Sequence, residues 1–231
     1  MSRIIGLGGF SGSGKSSSLK YLDPKTTFII SCTPKQLAIP GFRKNYTKLK
    51  IEDKSPVGNW YFSNEFSKVT LVFDIVDKKM PNTKVLVLDD ANYLLSQEIM
   101  DRAMEKGYDK HTELAQHYYN LIIKAMTMRD DLTVIFISHI VNDGSDLDPS
   151  YKLFTTGKLL DRSVNVDGLF NYLIYAEKLI SDVESTIKFV FRTKTLGKDT
   201  CRSTEGCFKD LYVEPNMQMV IDTINKFELS E

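Results

Sequence analysis

The chain has 231 residues, 42% of them hydrophobic and 26% charged, enough for one α/β domain with a sizeable core. Lys and Arg number 30 and Asp and Glu 30, which excludes a global pull toward nucleic acid but leaves room for a local basic patch. No apolar run reaches membrane-spanning length, no signal-peptide core opens the chain, and Cys32, Cys201 and Cys207 are few and odd in number, so a soluble intracellular protein with free thiols and no membrane partner is expected.

Residues 3–7 are a short apolar run of strand type. Gly9-Phe10-Ser11-Gly12-Ser13-Gly14-Lys15-Ser16 follows, reading G-x-x-x-x-G-K-S, and residues 17–22 can continue as a helix. Strand, glycine loop and helix together read as a phosphate-binding loop. Phosphates must approach the backbone closely, so Gly9, Gly12 and Gly14 keep the loop bare. Successive N–H groups, with Phe10, Ser11, Ser13 and Ser17 in the wrapping segment, point at the anion, and the helix adds its N-terminal partial charge. Lys15 serves the β- and γ-phosphates, and the Ser16 hydroxyl is the expected Mg²⁺ ligand. ATP or GTP with Mg²⁺ is the implied ligand.

Asp23-Pro24 ends that helix, and residues 26–32 read as a second strand. Pro34, Pro40 and Gly41 mark an irregular segment. Residues 35–50 carry Lys35, Arg43, Lys44, Lys48 and Lys50 with no acid, interleaved with Phe42 and Tyr46. That mixture suits single-stranded nucleic acid, with Arg43, Lys44, Tyr46 and Lys48 as candidate contacts; it equally suits a solvated loop face. Residues 63–80 are expected to be a helix, with Phe66, Val69, Phe73, Val76 and Met80 on one stripe. Trp60, Tyr61 and Phe62 before it read as core or edge packing.

Val85-Leu86-Val87-Leu88 predicts a strand buried on both faces, and Asp89-Asp90 stand at its carboxyl end, where ligands bind in open α/β sheets. Asp89 is the candidate carboxylate on the metal side. Asp90 either positions the attacking water or caps a helix from Ala91 onward. A helical region with Leu114, Tyr118, Leu121, Ile122, Ala125 and Met126 inward follows, carrying His111 and His117 in surface or packing roles. Residues 132–137 form another buried strand ending at Ser138-His139, placed to contact a γ-phosphate.

Residues 141–157 read as an acidic loop. Residues 170–178 and 184–193 predict an antiparallel hairpin turning at Ser181-Asp182. Six cations between 188 and 209 (Lys188, Arg192, Lys194, Lys198, Arg202, Lys209) face only Asp199 and Glu205. Residues 216–227 close the chain as a short helix with Met217, Val220, Ile221 and Ile224 inward. Cys201 and Cys207 lack the further ligands a zinc site needs. No linker or repeat divides the chain, so one domain over residues 1–231 is expected.

Over most of its length the chain resembles the phage-encoded, RecA-core ATP-binding proteins of the Sak-four type, associated with single-strand annealing and recombination. The resemblance is carried by G-F-S-G-S-G-K-S at Gly9 to Ser16, V-L-V-L-D-D-A-N-Y-L at Val85 to Leu95, G-Y-D-K at Gly107 to Lys110 and I-S-H at Ile137 to His139. It continues through T-T-G-K-L-L-D at Thr155 to Asp161, D-T-C-R-S-T-E-G-C-F at Asp199 to Phe208 and E-P-N-M at Glu214 to Met217. It implies a RecA-like P-loop NTPase fold, a mostly parallel sheet flanked by helices with a C-terminal antiparallel hairpin. It also implies Mg²⁺-ATP, single-stranded DNA, a homo-oligomer, a phage or host single-strand-binding protein, and the cytoplasm of an infected bacterium. Cys201, Thr204 and Cys207 replace the family-typical Ala, Pro and Met, and Met217 stands where Asp is usual. The second strand ends Ser31-Cys32-Thr33 without the catalytic Glu that RecA-type enzymes commonly carry there. Either Asp90 takes that task or hydrolysis is slow. Lys15, Asp90 and His139 are thus the catalytic candidates, and Arg192, Lys194 and Arg202 the cations that a neighbouring subunit can offer. A nucleotide-gated loader or adaptor for a phage replication factor, with little hydrolysis, is the alternative. A small-molecule kinase is disfavoured because no Arg-rich lid follows Ser138-His139.

Overall fold

The computed structural model describes residues 1–50, 55–107, 109–156, 160, 164–181 and 186–230. Asp182 of the expected hairpin turn, residues 184–185 of its second strand, and Tyr108, Gly157, Lys158, Leu159 and Asp161 of the resemblance motifs lie outside the described residues. Among the described residues ten strands form: β1 (Arg3–Gly9), β2 (Thr27–Ser31), β3 (Trp60–Phe62), β4 (Val85–Asp89), β5 (Thr133–Ser138), β6 (Ile140–Asn142), β7 (Tyr151–Leu153), β8 (Tyr172–Ser181), β9 (Thr186–Arg192) and β10 (Tyr212–Val213). Helices are α1 (Phe42–Asn45), α2 (Phe66–Lys79), α3 (Asn92–Asp101), α4 (Asp109–Met126) and α5 (Met217–Glu228).

Eight strands make one sheet in the order β10-β9-β8-β1-β5-β4-β2-β3. From β3 to β8 every pairing is parallel; β9 and β10 are antiparallel additions at one edge. The chain is therefore α/β, with a mostly parallel sheet, flanking helices and an antiparallel hairpin.

Alternating side chains explain the layering. Phe28, Ile30, Leu86, Leu88, Val134 and Phe136 join a core with α2, α3 and α4. Ile5, Leu7, Ile29, Val85, Val87, Ile135 and Ile137 join another with α5. A strand buried on both faces cannot alternate with polar residues, which is why β4 and β5 are continuous apolar runs. Each such side chain, fully buried, stabilises the fold by roughly 1.5–3 kcal/mol. At the carboxyl edge the register matches Gly8 with Ser138 and Ser31 with Asp89. Parallel pairing thus carries the glycine loop, both acids and His139 to one edge.

The structure departs from the sequence expectations in several places and narrows the roles open to Asp90. After the loop stands a six-residue 3-10 helix, Ser16–Tyr21, rather than an α-helix. Ser16, Ser17 and Ser18 are weak helix formers, Ser18 Oγ donates to the Lys15 carbonyl at 2.6 Å, and Pro24 lies just beyond. So short a helix supplies N–H groups but little macrodipole. Residues 141–157 are not all loop, since β6 and β7 pair as an antiparallel ribbon. Strand β10 was not expected at all; two residues are too few for a pattern. Asp90 does not cap a helix: the residue before α3 is Ala91, and no side chain caps that end.

Candidate functional site

Positive φ at Gly12 (70°) and Gly14 (92°) lets the loop after β1 fold back on itself. A Cβ on Gly9 would stand 2.6 Å from Ser13 Oγ and 2.7 Å from the Ala176 carbonyl oxygen, so only glycine fits. Lys15 is buried, and its Nζ donates to the carbonyls of Gly9 (2.6 Å) and Phe10 (2.9 Å). Burial brings its pKa down to about 8, against the pull of Asp90 and Asp89. Ser11 and Ser17 are exposed, and Phe10, half exposed, meets the Tyr151 ring edge-on at 5.5 Å.

Ser16 Oγ donates to Asp89 Oδ1 at 2.9 Å, joining the loop to the end of β4. Burial, with the charge of Asp90 beside it, raises the Asp89 carboxyl to about 7. Asp90 is buried too and adopts φ 60°, a left-handed conformation open to Asp and Asn. That turn aims its carboxylate into the site. Lys35 Nζ lies 2.5 Å from Asp90 Oδ2, Thr33 Oγ1 donates to the same oxygen at 3.4 Å, and His139 Nε2 is 3.7 Å from Oδ1. Burial is the largest influence on the Lys35 ammonium and opposes it, but the hydrogen bond to Asp90 and the charges of Asp90 and Asp89 together outweigh it and raise its pKa. Burial and Lys15 lower that of His139. The His139 N–H donates to Asn92 Oδ1 at 3.2 Å, which fixes the strand end. Two buried carboxylates thus face two ammonium groups, Lys15 and Lys35.

These residues fit a Mg²⁺-nucleotide. Ser13 Oγ is buried inside the loop without a hydrogen-bond partner, a donor left for an anion. Ser16 and Asp89, already in contact, form an all-oxygen pair of the kind Mg²⁺ accepts, with water completing the shell. Such an ion would neutralise phosphate charge.

Lys35, Thr33 and Asn92 take roles that the sequence motifs do not mark. Lys35 and Thr33 follow β2 at the carboxyl edge, so the strand-end rule was the signal that could have found them.

Other candidates fall elsewhere. Tyr46 is buried and stacks on Phe42 at 5.2 Å, so it offers no face to a base. Arg43, Lys44 and Lys48 are exposed. Lys44 lines a groove of about 670 Å³ with Lys25, Thr27 and Lys79, at the amino end of β2 and so at the sheet edge opposite the loop. Arg192 is 3% exposed and paired with Glu177 (2.6 Å) and Asp199 (3.0 Å), which commits its charge inside this chain. Arg202 Nη2 donates to the Asp167 carbonyl at 2.6 Å and is half-buried. Arg192 is thus committed inside the chain, and Lys194 is the exposed cation of the three. His117 pairs with Glu98 at 3.0 Å on the surface. The three cysteines are free and buried, Cys201 and Cys207 in different cores.

Arg192→Ala would leave Asp199 buried without its cation. Urea unfolding is expected to show a loss of about 3 kcal/mol. A loss below about 1 kcal/mol would mean that the pair adds nothing beyond a surface bridge.

No protein-family model matches the chain, and no curated protein matches its sequence. Among the described residues no helix is long and apolar enough to cross a membrane.

Proposed function

We propose that the chain is a Mg²⁺-dependent ATP-binding P-loop ATPase with a RecA-like core. It acts with single-stranded DNA in phage recombination or strand annealing, as a homo-oligomer in the cytoplasm of the infected cell. One observation carries the nucleotide part: the Ser16–Asp89 hydrogen bond joins a glycine loop with a buried lysine to an acid-bearing strand end. The loop binds phosphate, Lys15 supplies charge, Ser16 and Asp89 hold the metal, and Asp90 holds the attacking water. The DNA part rests on the family resemblance and on the exposed Arg43, Lys44 and Lys48. Of these, Lys44 lies at the amino end of β2, while Arg43 donates to Gln36 Oε1 at 3.1 Å, one residue beyond Lys35. The same strand leads at its carboxyl end to Thr33 and Lys35, the partners of Asp90.

A second reading, the nucleotide-gated loader with little hydrolysis, is favoured by the Lys35–Asp90 ion pair, which holds the would-be base. ATP turnover at low salt, with and without single-stranded DNA, separates the two, alongside mass in solution. The ATPase reading expects DNA to raise turnover severalfold and to promote oligomers. Absence of DNA binding at low salt with ATP and Mg²⁺ sinks it, because phosphate contacts are strongest there.

A further inference from the structure

The β8–β9 hairpin carries an apolar face that the core does not use. Its register pairs Ala176 with Phe191, Lys178 with Phe189 and Ile180 with Ile187, which sets all six on one face. Ala176 and Phe191 are buried in the core beneath α5. Further out the face emerges: Phe189 is 42%, Ile187 59% and Ile180 69% exposed. It emerges against the glycine loop. A Cβ on Gly14 would meet Phe189 Cδ1 at 3.3 Å, and one on Gly12 would meet Lys178 Nζ at 3.2 Å. The apolar surface therefore starts where the phosphate cradle stops, with an ammonium group at the border.

We propose that this face seats the base of the nucleotide whose phosphates the loop holds, with the Phe189 ring packed on the base and Ile187 and Ile180 beside it. The proposal rests on the nucleotide reading above. The charge pattern selects this occupant: a nucleotide is anionic at one end and flat and apolar-faced at the other, and Lys178 and Phe189 stand side by side in that order. Among the described residues of this face only Lys178 can hydrogen-bond a base edge. Stacking accepts any base, since every base has a π-face. The seat therefore adds affinity without choosing strongly between adenine and guanine.

Calorimetric titration with ATP, GTP and inorganic tripolyphosphate, each with Mg²⁺, tests this in the full chain. Phe189→Ala is expected to weaken ATP and GTP by about tenfold or more, the range of base–aromatic stacking. Tripolyphosphate, which has no base, should bind the variant as it binds the parent. Phe189→Trp should restore ATP. Ile187→Ser, at a more exposed position, should give a smaller loss of the same selectivity and guards against misfolding of the first variant. An unchanged ratio of ATP to tripolyphosphate affinity in Phe189→Ala overturns the base seat while leaving the phosphate loop intact. Failure of the parent chain to bind any of the three ligands overturns both. An unchanged ratio with a lower mass in solution assigns the face to a second copy of the chain instead.

Discussion

Lys15→Ala is expected to remove nucleotide-dependent stabilisation and to lower ATP turnover by about 10³-fold. The turnover figure lies at the upper end of the loss seen when one preorganised donor to transition-state charge is removed. The Lys15 ammonium bridges the Gly9 and Phe10 carbonyls, where the loop leaves β1. It is buried, so its charge acts through little water and weighs heavily on an anion beside it. A ligand at one hundred times its dissociation constant stabilises by about 2.7 kcal/mol, or roughly 5–10 °C in a chain of this size. The parent chain with ATP and Mg²⁺ should show that rise in a thermal melt, and Lys15→Ala should show almost none. Without nucleotide the two should melt within a few degrees, because two charged hydrogen bonds are lost while a burial cost, seen in the lowered lysine pKa, is relieved. An equal ATP-induced rise in both would remove the loop from the nucleotide site.

Much of the sheet was legible because its strands are long, apolar and bounded. β4 and β5 could be read from unbroken hydrophobic runs, and the stripes of α2, α4 and α5 from spacings of three and four. The chemistry at strand ends was legible for the same reason: a parallel sheet gathers its carboxyl ends, so Asp89 and His139 could be placed by counting along the chain. What could not be read depends on partners distant in sequence. Tyr46 sits in a basic stretch, and only the packing of Phe42 against Trp60 and Tyr46 turns it inward. Arg192 reads as one of six surface cations, and only β8 and the segment at Asp199 reveal two carboxylates waiting for it. Lys35 reads as part of the same basic stretch as Lys44, yet the two lie toward opposite ends of β2. The 3-10 helix after the loop is a contest between weak local preferences, and the serines with Pro24 decide it.

Asp90→Asn is the substitution that divides chemistry from binding. Asparagine keeps the volume, tolerates the left-handed φ of 60° and can still accept the Thr33 hydrogen bond, so the fold should stand. It loses the charge that pairs with Lys35, and it relieves Asp89 of a like charge held in the same buried space. Binding of ATP with Mg²⁺ should survive within a fewfold, because in the proposed site the phosphate and metal contacts would come from the loop, Ser16 and Asp89. Turnover should fall by about 10²–10⁴-fold, the usual contribution of a positioned general base. Single-turnover hydrolysis measured beside ATP affinity reads the two effects separately. Equal hydrolysis in the variant would strip Asp90 of the catalytic role and leave it as an anchor for Lys35. In that case the loader reading gains, since no other carboxylate among the described residues stands beside Asp89 at this edge of the sheet.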